Sequence, residues 1–234
     1  MITYLLRHGQ TTYSSSYRVN GDPTVPVPLD ETGIRACQEA RDLLPAEIVR
    51  TWVTSAFPRA QQTSELLRGT TVTAAAVEPL LNELDYGTFE SGPFQIYASW
   101  LQEHGPSARP DGARESQHEG IRRMLTGVRA TLALTGPRCV VAHGLLLSVL
   151  YWKCSNPWGA AMPVFFPEAP CLVPFAAADA DLEEWVSDLI TEIDDPSGDV
   201  KRPEGDSTEL RTGAEPVFAT VDPLALLEEK DPHA

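Results

Sequence analysis

Short apolar runs alternate with longer stretches of helical periodicity over most of the chain. Residues 2–6 are β-favouring and apolar and stop at a polar segment. This pattern predicts a buried strand that delivers Arg7, His8, Gly9, Gln10 and Thr11 to a loop at its carboxyl end. After a Ser-, Pro- and Gly-rich loop reaching Leu29, the residues Ile34, Cys37, Ala40, Leu43 and Leu44 recur at helical spacing and predict an amphipathic helix of about three turns. Residues 48–54 read as a second strand. Residues 55–58 then open a helix carrying Arg59, Thr63, Leu66 and Leu67, with Pro58 in the first turn, where a missing N–H is tolerated. The β-branched residues within 70–77 predict a third strand.

Residues 85–117 contain several Gly and Pro and read as an inserted cap or lid. Ser116 and Glu119 have the capping-box spacing, and Ile121, Leu125, Val128 and Leu132 continue one apolar face, so a long helix is expected. Residues 138–142 give another buried strand, closed by His143 and Gly144, and residues 145–153 a buried helix. From 156 to 174 prolines recur among Trp158, Phe165 and Phe166, which predicts an aromatic loop with one short strand near 171–175. The predicted fold is α/β: a three-layer sandwich whose mostly parallel central sheet is flanked by helices. The expected organisation is a catalytic domain over 1–178, an amphipathic helix over 179–193, and an acidic, disordered tail over 194–234 with a short docking segment at 224–227.

Composition narrows the class. The 234 residues are 42% hydrophobic and 22% charged, which is ordinary for a globular protein, while 20 prolines and 16 glycines belong mainly in loops. A net charge of −15 argues against nucleic-acid and anionic-membrane binding, since both need basic patches. No run approaches the roughly 20 apolar residues of a membrane span, and the first residues lack a signal peptide's basic start, so a cytoplasmic location is expected. Cys37, Cys139, Cys154 and Cys171 are scattered without a Cys-x-x-Cys pair, which favours reduced, buried thiols over a metal site or a disulfide framework. The sequence calls for no metal and no cofactor. It leaves open a homodimer and a protein partner for the acidic tail.

Arg7-His8-Gly9 directly after a strand can seat a phosphate against a nucleophilic nitrogen. Residues 5–11, which contain this triplet, resemble the signature of the histidine phosphatase superfamily, the phosphoglycerate-mutase-like proteins. Residues 18–33, 54–63, 82–87, 110–123 and 140–144 are similar, in order, to the family's first loop, its second phosphate-binding arginine, its acid, its cap-to-helix stretch and its second histidine. The resemblance covers about residues 1–178 and implies a phosphatase branch acting on a small phosphorylated substrate. It implies that His8 is the nucleophile forming a phosphohistidine, and that Arg7, Arg59 and His143 surround the phosphoryl oxygens. Glu83 would protonate the leaving alcohol and later activate water, with Asp85 as its rival. Thr11, Asn20, Gly21 and Gly144 would contact substrate or phosphate.

Two positions depart from the family pattern: Leu145 comes after the second His-Gly pair where a small or polar residue is frequent, and Ser14 replaces a frequent Asn. The cap supplies few cations, which favours a phosphatase over a mutase. It does supply Phe89, Phe94, Tyr97 and Trp100, which with Trp158, Phe165 and Phe166 are candidates to line an apolar pocket. Two rival functions stay open: an elimination or dehydration enzyme adapted from such a site, and an idle scaffold that docks a partner through its tail.

Overall fold

Alternate residues of a strand face opposite sides of its sheet. In the first strand, β1 (Ile2–Arg7), Leu5 therefore enters one hydrophobic core while Tyr4 and Leu6 enter another. The computed structural model describes residues 1–69, 74–156 and 160–195. The other strands are β2 (Thr51–Thr54), β3 (Ala76–Val77), β4 (Arg138–Ala142) and β5 (Phe175–Ala178). They form one five-stranded sheet in the order β3-β2-β4-β1-β5, with β5 antiparallel and the other neighbours parallel. In register, Leu5 lies opposite Val140 on one side and Phe175 on the other.

The helices are α1 (Thr12–Ser15), α2 (Glu31–Glu39), α3 (Pro58–Arg68), α4 (Phe94–His104), α5 (Gln117–Leu132), α6 (Gly144–Ser155) and α7 (Asp179–Asp194). Cys37 of α2 and Ala60 and Leu67 of α3 join Trp52, Cys139 and Val141 on one face of the sheet. On the other face α5, α6 and α7 pack against Val53, Val140, Phe175 and Ala177. This is the expected three-layer arrangement. The apolar character of α6 reflects its position: Leu146, Leu147, Val149 and Leu150 are all buried in the core between sheet and helices. No described helix is long and apolar enough to cross a membrane.

Several boundaries differ from expectation for identifiable reasons. The second strand begins only at Thr51, because residues 46–48 form a turn and Ile48 is exposed. The third strand shrinks to two exposed residues, and residues 70–73 of its expected span lie outside the described residues. The cap contains α4, which the Gly and Pro residues around it concealed; only its Tyr97 and Leu101 are buried. β5 starts after Pro174 rather than at Cys171, consistent with proline's missing donor. The expected capping box is present: Glu119 N–H donates to Ser116 Oγ, and Ser116 N–H to Glu119 Oε2. Leu182, Val186 and Leu189 place α7 in the same core as β1 and β4. All four cysteines are free; Cys37 and Cys139 are buried, whereas Cys154 is exposed and Cys171 half-buried. The tail from residue 196, its segment 224–227 and Trp158 lie outside the described residues.

Arg138 ties this frame together from a fully buried position at the start of β4. It donates to Thr3 Oγ1 on β1, to the Leu132 and Leu134 carbonyls at the end of α5, and pairs with Asp179 at the start of α7 at 2.8 Å. Removing a partner from such a set leaves buried acceptors unsatisfied. Arg138→Ala is expected to lower stability by about 3 kcal/mol, read from the urea midpoint.

Candidate active site

The carboxyl ends of the parallel strands gather the predicted chemistry at one place, as open α/β sheets do. β1 ends at Arg7 and hands His8 to the loop, and His8 N–H donates to the Ala142 carbonyl at the end of β4. β4 in turn ends one residue before His143, the N-cap of α6. The two imidazoles lie 5.3 Å apart, centre to centre, edge to face. Arg59 enters from the second position of α3, next to Pro58. Thus two buried histidines and a buried arginine meet on the sheet's edge.

Arg59 organises the cluster. Its Nε donates to His8 Nε2 at 3.0 Å, Nη2 to His143 Nδ1 at 3.2 Å and to the Asn20 carbonyl at 3.0 Å, and Nη1 to Asn20 Oδ1 at 2.5 Å. A guanidinium only donates, so both imidazole nitrogens facing it must be unprotonated acceptors. The other nitrogens then carry the protons: His8 Nδ1–H donates to the Gly9 carbonyl at 2.7 Å, and His143 Nε2–H donates to Ser55 Oγ at 2.7 Å. Burial, reinforced by the Arg59 charge, pushes both imidazoles well below the usual histidine range. Burial also lowers Arg59 to about 10, which leaves it charged at neutral pH. Its guanidinium rests over the Phe57 ring at 4.2 Å, a cation–π contact that supports a buried charge.

Glu83 comes shortly after a 3-10 turn, Pro79–Leu81. Its Oε1 accepts from Leu84 N–H at 2.9 Å. Burial raises its pKa even though Arg59 and Arg7 pull it down. The backbone around it is held from α5: Arg123 donates to the carbonyls of Leu80, Asn82 and Glu83 and pairs with Glu115. Asp85, the alternative acid, is occupied elsewhere: it caps the turn at Gly87 and pairs with Arg114.

A cavity of about 300 Å³ is lined by Arg7, His8, Thr11, Asn20, Arg59, Glu83 and Gly144. His143 does not line it; it is fully buried and bonded to Arg59. Gly21 also differs from expectation. Its nitrogen donates to Glu90 Oε2, and a Cβ there would lie 1.8 Å from the Leu84 carbonyl oxygen, so glycine is required by the close approach of the segment that carries Glu83. Thr11 caps α1 with its side chain and is almost fully buried.

Sequence reading missed Ser55, whose Oγ accepts the His143 Nε2–H, and Glu90, which holds both Asn20 and Gly21. It also missed Glu168, whose Oε1 accepts from Arg7 Nη1 at 2.6 Å while the same nitrogen donates to the Ala169 carbonyl. Ser55 could have been noticed within the segment that carries Arg59; nothing local marks Glu90 or Glu168. Of the expected aromatic lining, Phe94, Tyr97, Phe165 and Phe166 reach the cavity, joined by Tyr13, Tyr17 and Tyr86. Phe89 and Trp100 instead pack on the core. Among the described residues no three His, Cys, Asp or Glu side chains converge as metal ligands.

Two imidazoles and the buried Arg59 thus meet beside the carboxyl ends of the central parallel strands, in the fold and order of motifs of a histidine phosphatase. The profile of that superfamily, branch 1, matches residues 3–165, and the chain belongs to it. The probable phosphoglycerate mutase GpmB of Cronobacter sakazakii is 30% identical over 157 residues, 63% of this chain and 71% of its own. A candidate alpha-ribazole-5'-P phosphatase from Escherichia coli superposes with a TM-score of 0.61 at 25% identity, over 75% of this chain and 89% of its own. A mycobacterial glucosyl-3-phosphoglycerate phosphatase superposes at 0.60 with 22% identity, over 75% and 91%.

Proposed function

We propose that the chain is a phosphomonoesterase that transfers the phosphoryl group of a small metabolite to His8 and then to water. The observation that carries this reading is the unprotonated His8 Nε2, held against Arg59 on the cavity wall. A phosphoryl group entering there takes the guanidinium N–H groups of Arg59 and Arg7 onto its oxygens and frees the Nε2 lone pair. Nε2 then forms a bond to phosphorus as the ester P–O bond breaks, and the Glu83 carboxyl gives its proton to the departing alcohol. In the second half, Glu83 takes a proton from water, whose oxygen attacks phosphorus, and the P–N bond breaks to release phosphate. His143, through Arg59, positions the guanidinium. Beyond Arg7 and Arg59, only Arg18 among the described residues adds a cation to the lining, which favours water over a second phosphorylated acceptor. The test is incubation with phosphomonoesters, then an acid quench. Release of inorganic phosphate with an acid-labile, base-stable phosphoenzyme is expected, and the absence of both overturns the reading.

Turnover requires His8 unprotonated and Glu83 protonated. His8 titrates below its ordinary value and Glu83 above its own, so kcat/KM rises as pH climbs through the first and falls as it passes the second. Glu83→Gln should remove the descending limb and slow alkyl phosphates by about 10²–10⁴-fold. An aryl phosphate, whose leaving group needs no proton, should be slowed far less.

A further inference from the structure

Besides the groups assigned to the phosphoryl site, the cavity lining includes the rings of Tyr13, Tyr86, Phe94, Tyr97, Phe165 and Phe166, with Leu145 beside Gly144. Tyr86 and Tyr97 meet edge to face at 4.9 Å, which fixes the orientation of both. The cations inside are few. Arg59 is shared among His8, His143 and Asn20, and Arg7 is paired with Glu168 while its Nε is buried without a partner. The remaining cation, Arg18, is exposed, with its guanidinium 5.8 Å from the Tyr13 ring centre. No lysine lines the cavity among the described residues.

Resting on the phosphatase reading, we propose that the alcohol half of the substrate is an uncharged, ring-bearing apolar group with no second phosphate or carboxylate. Three physical reasons converge. At about 300 Å³ the cavity lies at the small end of ligand pockets, a size that suits a phosphoryl group with one ring and a short linker. Rings take apolar surface, and away from Arg7 and Arg59 a second anion meets only neutral donors and the exposed Arg18. The Glu168 carboxylate pairs with Arg7 and offsets part of its charge, which leaves the site little cation beyond what the phosphoryl group takes. Leu145 adds a further apolar side chain to the lining.

The experiment compares phenylpropyl phosphate, glycerol phosphate and phosphoglycerate, whose leaving groups are all alkyl alcohols. It also measures calorimetric binding of the non-hydrolysable phenylpropylphosphonate and phosphonopropionate. The expected result is a kcat/KM at least ~100-fold higher for phenylpropyl phosphate and tighter binding of its phosphonate. Phe165→Ala, on an exposed ring, should cut that preference about 10-fold through KM. Preferential phosphonate binding without hydrolysis of any ester would overturn the phosphatase reading and leave the substrate class standing. Equal kcat/KM values, binding no tighter for phenylpropylphosphonate than for phosphonopropionate, or binding of neither, overturns the proposal.

Discussion

His8→Ala is expected to release phosphate at least ~10⁴-fold more slowly than wild type and to accumulate no phosphoenzyme. The magnitude reflects the division of labour around it. With the imidazole gone, Arg59, Arg7 and Glu83 still bind and polarise a phosphate ester, so residual binding survives while the covalent route is lost. The fold should survive too, because the His8 ring donates only to its neighbour's carbonyl and accepts only from Arg59. The orphaned Arg59 Nε costs about 1–2 kcal/mol at most, visible as a small drop in urea midpoint. Equal phosphate release by the two proteins would remove His8 from the chemistry.

Arg59→Ala should lower kcat/KM by about 10³-fold and should also move the pH profile. Three causes hold His8 below its ordinary value: burial first, then the Arg59 charge, then the Arg7 charge. Deleting the side chain removes the second and admits water that weakens the first, so the His8 pKa climbs and the ascending limb of kcat/KM shifts to higher pH. Arg59→Lys restores the charge but not the fork that reaches His8, His143 and Asn20 together. It should therefore return the limb toward its original position while recovering little of the rate. An unmoved limb in Arg59→Ala would mean that the guanidinium does not set the nucleophile's protonation.

What could be read in advance divides along physical lines. β1 and β4 were legible because buried parallel strands leave continuous apolar runs, and each leads at once into its polar cargo, Arg7-His8 or His143. α5 was legible because its caps are local, with Ser116 and Glu119 three residues apart. α4 was not, since flanking prolines and glycines gave a loop signature and its buried residues, Tyr97 and Leu101, are too few to show a period. In the site, the side chains with reactive groups announced themselves by motif. Their partners did not: Ser55, Glu90, Arg123 and Glu168 reach His143, Asn20, the Glu83 backbone and Arg7 from distant segments. Gly21 shows the same limit from the other side, because what demands glycine there is the Leu84 carbonyl, which no neighbouring residue foretells.

The position of β1 inside the sheet sets a schedule for biosynthesis. His8 leaves the ribosome long before β4, to which Leu5 and Leu6 must pair, and before β5, which covers the other edge of β1. At elongation rates of roughly 5–20 residues per second, the early strand waits many seconds with both edges unpaired. Until β4 emerges, His8 lacks both the Ala142 carbonyl that anchors its N–H and the His143 ring that packs beside it.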